Sequence, residues 1–563
     1  MTDTLTAPPK EAAPQAGKET KAQYIERLKR EKNPWEAFDE VRRFAREGRD
    51  SVTPEWIKSY FRWWGTYTQG DGVGAIGGKG GEGLMSEYFM MRIGTPNGML
   101  KASQVRVIGQ LVKKYARNMA DITTRQNIQL HWLTIDVLPE IVDALHKIGL
   151  SPRGACGDVA RNITGCPLAG MDAEEIADAS GLSLQVAHTL IGNEAFSNLP
   201  RKFKICVTGC SSWCCYPELN DGAFTAVRRG DQIGYAVRVG GGLSKEPHLA
   251  VKLDAFVLPE QVVDVARTIA EIFRDQQSLR ENRDKARMKY LFMREGWTPE
   301  RFLDEIETRL GYRFDPAPEE NVPGDVLRDH VGVHAQKQPG LSYVGASVLR
   351  GRLTGDQFIA AADLAEKYGV KGGELRTTVM QNLVIVNIPT GKTPDLVDEL
   401  HAAGFRVEGS QFWRGAIACT GTEFCKLAIT ETKGFTKWLV DELEDRLPGF
   451  DQQIKLNVTG CPNSCGQHWI ADIGLEGKKA KYNGEMVDAY NFTLGGAVGQ
   501  HAAIARVTGY RAPATEVPDA IERLLRGYLA DRERDESLRS WFARHEVSEL
   551  KEILQGEPVL AAV

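Results

Sequence analysis

The sequence predicts an α+β protein in which one unit occurs twice, its copies related by a pseudo-twofold axis. Three observations predict this. ICVTGCSSWCCYP (205–217) and NVTGCPNSCGQHW (457–469) share V-T-G-C-x-x-x-C at a spacing of 251 positions. The same succession of helix, strand and helix precedes each stretch, and a similar apolar strand follows each. A period near 250 is too long for a solenoid, whose repeats run to about 50 residues, and alternating amphipathic helices and β-rich runs belong to a layered α+β unit.

The elements follow in order. MTDTLTAPPKEAAPQAGKET lacks the apolar core of a signal peptide and is rich in Ala, Pro, Thr and Lys, so residues 1–22 read as a disordered tail. A helical segment is expected over 23–70. The first half-domain, 71–150, holds LKASQVRVIGQLVKKYA, with Val105, Ile108, Val112 and Tyr115 on one helical face, then the strand QNIQLHWLTI and a helix ending in LHKIG. A second domain, 151–314, carries the first Cys loop and the strand YAVRVGGGLS. Pro316, Pro318, Pro323 and Pro339 mark 315–340 as a linker. The half-domain at 341–410 then repeats the pattern with Phe358, Ala361, Ala365 and Tyr368, the strand QNLVIVNIP and LHAAG. The domain at 411–545 carries the second Cys loop and YNFTLGGAVG, and 546–563 is expected to be a C-terminal tail.

With 563 residues the chain can bury several cores. No apolar run approaches the roughly 20 residues that span a bilayer, so a cytoplasmic, monomeric protein that contacts no membrane is expected. Its 10 cysteines then read as metal ligands or buried thiols rather than disulfides. A net charge of -5 argues against general nucleic-acid binding.

Duplication lets each copy serve as a control for the other. The second adds Cys419 and Cys425 to Cys461 and Cys465, giving Cys-x5-Cys and Cys-x3-Cys. Four thiolates are what a [4Fe-4S] cluster requires, whereas zinc sites usually have tighter spacings. In the first copy, alignment of the T-G pairs at 164 and 420 sets Ile163 and Ala169 opposite Cys419 and Cys425. One cluster is therefore expected, in the second copy, with Cys206, Cys210, Cys214 and Cys215 as small buried hydrophobes. Cys156 and Cys166 lie nearby with other spacings. Cations run the opposite way: Arg92, Arg125, Arg161 and Lys202 face Gly345, Met380, Ala416 and Gln453, and only Lys204 has a basic counterpart, Lys455. Lys202 and Lys204, two apart in an extended segment, point to one side, and such paired like charges call for an anion.

Taken in order, FMMR, RNITGCPLAG, LPRKFK, Cys-x5-Cys and TGCPNSC resemble the assimilatory sirohaem- and [4Fe-4S]-dependent sulfite and nitrite reductases over about residues 55–540. The resemblance implies that each half comprises a ferredoxin-like subdomain and a reductase subdomain. It also implies a cluster on Cys419, Cys425, Cys461 and Cys465, with Cys465 shared as axial ligand of the sirohaem. Arg92, Arg161, Lys202 and Lys204 would ring the anion. Arg125, Asn127 and His131 would meet the macrocycle's carboxylates, a core histidine being the alternative for His131. Gly240–Gly242 and Gly495–Gly496 would let backbone approach the macrocycle, or form tight turns.

The implied activity is six-electron reduction of sulfite to sulfide or nitrite to ammonia. KFK favours sulfite, and RNITGCPLAG resembles the nitrite-type loop. A pure electron-transfer protein would need the cysteines without the cations, a cluster dehydratase would leave one iron without cysteine, and a binding module would need inert cysteines. No G-x-G-x-x-G follows a strand and opens a helix, so electrons are expected from a partner. In the resembled family that partner is ferredoxin, and RENRDKARMKY (280–290) or GKKAKY (477–482) could dock it or be solvated faces.

Overall fold

The computed structural model describes residues 19–70, 87–324 and 327–556. Most of the expected N-terminal tail, the start of the first half-domain (71–86) and the last seven residues lie outside these.

Both half-domains are antiparallel sheets, and each is finished by a strand from the other. The first runs Thr66–Thr68, Phe89–Ile93, Ile128–Leu133, Ala120–Ile122, and its edge is Arg352–Leu353 of the second copy. The second runs Gly332–Ala335, Leu341–Ala346, Leu383–Pro389, Glu374–Thr377, and its edge is Met99–Lys101 of the first copy. Helices Ala102–Tyr115 and Gly355–Tyr368 cross beside them. A Cβ on Gly109 would lie 2.8 Å from the Gly355 carbonyl, and one on Gly355 would lie 2.6 Å from that of Gly109, so only glycine permits this backbone approach. The predicted faces are buried at Val105, Ile108, Val112, Phe358, Ala361, Ala365 and Tyr368, all but Tyr115 of the eight positions. One core joins both half-domains with Leu28, Val41, Phe44 and Trp56 of the N-terminal segment.

The other two domains each begin their sheet with parallel strands and continue antiparallel. The first comprises Ile205–Thr208, Gly222–Arg229, Gln232–Val239 and Val251–Val257; the second comprises Ala416–Ala418, Leu456–Thr459, Ile473–Tyr482, Glu485–Leu494 and Arg506–Pro513. Their frames match in detail: Lys204 N donates to Asp221, itself paired with Arg287, as Lys455 N donates to Asp472, paired with Arg539.

Three expected boundaries differ. Residues Val547–Gln555 form a helix, not a tail, because Leu550 and Leu554 complete the second core. The linker contains the strand Gly332–Ala335, and its Glu320 is held by Arg238. The N-terminal segment ends in the strand Thr66–Thr68. That segment is fastened to the first Cys-loop domain by buried charge: Lys29 reaches Glu26 (2.5 Å) and Asp158 (3.4 Å), and Arg280 reaches Glu26 (2.6 Å). Burial alone would raise the Asp158 pKa, yet Lys29, Arg283 and Arg201 hold it well below the usual carboxylate range.

Among the described residues no helix is long and apolar enough to cross a membrane.

Candidate active site between the two copies

In the second copy, parallel strands Ala416–Ala418 and Leu456–Thr459 deliver their chains side by side into two loops. Cys419 N donates to Val458 O at 3.1 Å, which fixes the first loop against the second. Ser464 and Gln467 adopt left-handed backbone (φ 56° and 62°), tightening the turn around Cys465. N–H groups are aimed at sulfur: Gly460 N lies 3.2 Å from Cys419 Sγ and Asn463 Nδ2 3.5 Å from Cys461 Sγ. Burial, then the neighbouring Cys465, pushes the Cys425 thiol up to about 12 and raises Cys419 and Cys461 as well. Cys465 alone of the four is exposed. Thr124 of the first copy donates to the Cys465 carbonyl at 3.4 Å, bringing the loop before Arg125 onto this turn.

The first copy's cations meet Cys465 from the other side. Arg92 is held by the Ala155 carbonyl (3.1 Å), Cys156 Sγ (2.9 Å) and Gln129 (3.0 Å). Arg161 is held by the Gly157 (2.8 Å) and Ala155 (3.3 Å) carbonyls. Neutral acceptors thus aim both guanidiniums without cancelling their charge. Burial, then Arg287, lowers the Lys202 ammonium to about 7, with Cys465 opposing. Lys204 is lowered well below its usual value by burial and then by Lys202. Among the described residues neither ammonium has a hydrogen-bond or ion-pair partner. Cys465 favours the charged form of Arg92 as it does that of Lys202. Cys156, Gln129, Tyr67 and the Arg287–Asp221 pair complete this environment; Gln129, Tyr67 and Asp221 carried no sequence signal, and Arg287 was visible only as part of the basic run at 280–290.

Other expectations change. His131 is a core histidine: its ring nitrogens meet Gln69 (2.8 Å) and Asp121 (3.2 Å), and it stacks on Phe424 at 4.1 Å, bracing the residue before Cys425. Asn127 is buried, its Oδ1 accepting from Thr95 N. Arg125 donates to Asn220 and the Asn162 carbonyl at 2.8 and 2.7 Å, leaving its Nε buried and unpartnered; burial lowers its pKa to about 10. The glycines pack against protein: a Cβ on Gly241 would lie 2.3 Å from Glu218 O, and one on Gly496 2.5 Å from Trp469 O. In the run 280–290, Arg280, Arg283, Lys285 and Arg287 are paired with Glu26, Asp158, Glu246 and Asp221, so that run is a set of internal ties. Lys481 and Tyr482 of GKKAKY are exposed.

The register of the first Cys loop also differs. Thr164 pairs in parallel with Cys206 as Ile417 pairs with Asn457, and Cys206 and Asn457 both lie four residues before the first Cys of their loop. Cys166, not Ile163, therefore stands opposite Cys419, and Asp172, not Ala169, opposite Cys425. The T-G pairs misled because the same dipeptide falls at different points of the two loops. Cys206, Cys210, Cys214 and Cys215 are all buried, as expected.

Comparison with known proteins agrees with this architecture. The nitrite and sulphite reductase 4Fe-4S domain matches residues 156–314 and 409–559, and the nitrite/sulfite reductase ferredoxin-like half domain matches 85–148 and 334–403. The chain is 38% identical to the assimilatory ferredoxin-dependent nitrite reductase of Haloferax mediterranei, over 89% of this chain and 88% of that one. It is 36% identical to the sulfite reductase [ferredoxin] of Mycobacterium tuberculosis, over 93% and 95%. The solved structure of the Mycobacterium tuberculosis NirA protein superposes with a TM-score of 0.87 at 35% identity, covering 93% of this chain and 97% of that one. The cofactors are those of the family, a [4Fe-4S] cluster and sirohaem. The residues present fit them: four thiols in two facing loops, backbone and amide N–H groups on the sulfurs, one exposed cysteine and half-buried cations that no carboxylate neutralises. The chain belongs to the nitrite and sulfite reductase family, built from two ferredoxin-like half domains and two reductase domains.

Proposed function

We propose that the protein reduces sulfite to sulfide with electrons from a ferredoxin, at a site where the second copy supplies the metal ligands and the first supplies the anion's counter-charges. The observation that carries this reading is the pair of half-buried ammoniums, Lys202 and Lys204, which among the described residues have no hydrogen-bond or ion-pair partner, with Lys202 and Arg92 within electrostatic reach of the exposed Cys465. In this reading Cys419, Cys425, Cys461 and Cys465 hold the cluster, Cys465 also ligates the sirohaem, and Arg125 meets its carboxylates. When bound, these groups supply electrons one at a time. Arg92 and Arg161, permanently charged and fixed by neutral acceptors, clamp the anion and stabilise negative charge as bonds to oxygen break. Lys202, lowered to about 7, is poised to give a proton to a departing oxygen at neutral pH and to regain it from solvent. Two ammoniums beside two guanidiniums match a dianion better than a monoanion.

Lys204→Asn, which removes one of these charges, is expected to shift the ratio of kcat/KM for sulfite to that for nitrite toward nitrite by about tenfold, equivalent to about 1.4 kcal/mol. An unchanged ratio would place Lys204 away from the substrate. A second reading, nitrite reduction to ammonia on the same residues, is favoured by RNITGCPLAG and by the likeness to the Haloferax mediterranei enzyme. A kcat/KM for nitrite above that for sulfite in the unmodified holoenzyme would select it.

The donor reading now rests on the exposed Lys481 of GKKAKY, since the 280–290 run is internally paired and Lys478 and Lys479 pair with Glu476 and Asp488. Turnover with reduced ferredoxin is expected to fall steeply with ionic strength, because exposed charges are screened over about 10 Å at 0.1 M salt. Turnover with methyl viologen should be far less sensitive. Ferredoxin rates indifferent to salt would remove charge-guided docking.

A further inference from the structure

The sulfurs of Cys166, Cys210 and Cys214 all lie within 4.8 Å of one another, in the buried interior of the first copy. Among the described residues no three of Cys419, Cys425, Cys461 and Cys465 come so close, although equivalent strands deliver both sets. The difference has chemical meaning. In a cubane cluster each thiolate takes its own iron, which holds the sulfurs apart. One zinc ion with Zn–S of about 2.3 Å draws its thiolates to about 3.8 Å from one another, the edge of a tetrahedron. The first copy's triad has the compact form.

The surroundings point the same way. His330, just before the linker's strand, is 3% exposed, and neither ring nitrogen has a hydrogen-bond partner. Its backbone is left-handed, at φ 62°, a conformation held by the fold rather than preferred by the residue. Burial, then Arg328, lowers it to about 4, with Cys210 opposing, so the imidazole is neutral; its ring nitrogens lie outside the 4.8 Å group of sulfurs. Arg376 has two further unpartnered buried nitrogens, Nε and Nη1, and senses Cys166; Arg328 senses Cys210. Asp172, opposite Cys425, is instead committed to Arg328, 3.0 Å between Oδ1 and Nη2.

We propose that Cys166, Cys210 and Cys214 form a three-thiolate, zinc-type site for one divalent ion, separate from the reductase centre. With all three cysteines bound as thiolates and their protons released to solvent, the centre carries one net negative charge, facing Arg328 and Arg376. A zinc ion has no redox chemistry, so it would cross-link the two loops without exchanging electrons with the reductase centre.

The test is elemental analysis of the holoenzyme together with its visible spectrum. About one zinc per chain is expected besides iron, and Cys166→Ser and Cys210→Ser should each lose it while Soret absorbance, iron and acid-labile sulfide stay unchanged. Should those variants fail to fold, the unmodified holoenzyme still decides by native mass spectrometry: the mass of one bound zinc supports the site, and a deficit of two hydrogens, from a Cys–Cys disulfide, overturns it. Absent zinc, zinc unaffected by the cysteine changes, or loss of iron and sulfide from Cys210→Ser would overturn the site. Because the readout is zinc, its failure is distinct from any failure of the sulfite assignment.

Discussion

Cys465→Ser is expected to lower turnover by about 10⁴-fold or more, the scale on which groups acting as a unit fail together. The variant should also lose iron and sulfide and shift the Soret band, because one sulfur is assigned to both centres. The geometry gives the reason: Cys461 is buried, Cys419 and Cys425 are half-buried, and Cys465 alone of the four is exposed, within electrostatic reach of Arg92 and Lys202. In the proposed reading a hydroxyl cannot replace a thiolate that would hold both centres. Retention of cluster iron in Cys465→Ser, combined with its loss in Cys210→Ser, would exchange the roles of the two copies.

Lys202→Met should reduce kcat by about 10²–10⁴-fold, the usual worth of a positioned proton donor. Lys202→Arg separates charge from proton transfer: it should recover anion affinity, read as KM, without recovering kcat. The pH profile gives the sign. Burial and Arg287 lower the ammonium to about 7, and the protonated form both attracts the anion and donates. Hence kcat/KM should fall as pH rises through neutrality, and Lys202→Arg, charged throughout, should flatten that limb. An identical limb in both proteins would assign the titration to another group. The same shift makes the anion-free site costly: between about 7 and the ordinary lysine range the unfolded chain binds the proton and the folded chain does not, so this group's contribution to stability rises with pH there.

Much of this was legible in the sequence because duplication made the chain its own comparison. The V-T-G-C loops, the two amphipathic helices and the cations confined to one copy each marked a place where the halves agree or diverge. What escaped notice has physical causes. Met99–Lys101 and Arg352–Leu353 are too short to carry an alternating pattern, so the strands that cross between sheets left no trace. The register of Cys166 depends on a parallel pairing, Thr164 with Cys206, that local similarity cannot reveal. His131 carries the same residue type whether it meets a macrocycle or fills a core, and only Gln69 and Asp121 on its two nitrogens decide. The basic run at 280–290 looked like surface because its partners, Glu26, Asp158, Glu246 and Asp221, are remote in sequence.

The exchanged edge strands bear on how such a molecule arises. A single ancestral copy folding alone would have had an unfilled sheet edge and an unattached short strand, the configuration that two identical chains resolve by swapping. The present chain thus has the form of a strand-swapped homodimer joined end to end. Tethering turned an encounter between molecules into one within a chain, and it freed the two copies to differ. In the proposed reading asymmetry is what the chemistry needs: two identical copies cannot devote one Cys loop to ligands and the other copy's basic segment to the anion. Yet neither copy can lose its exchanged strand without leaving its neighbour's sheet a strand short.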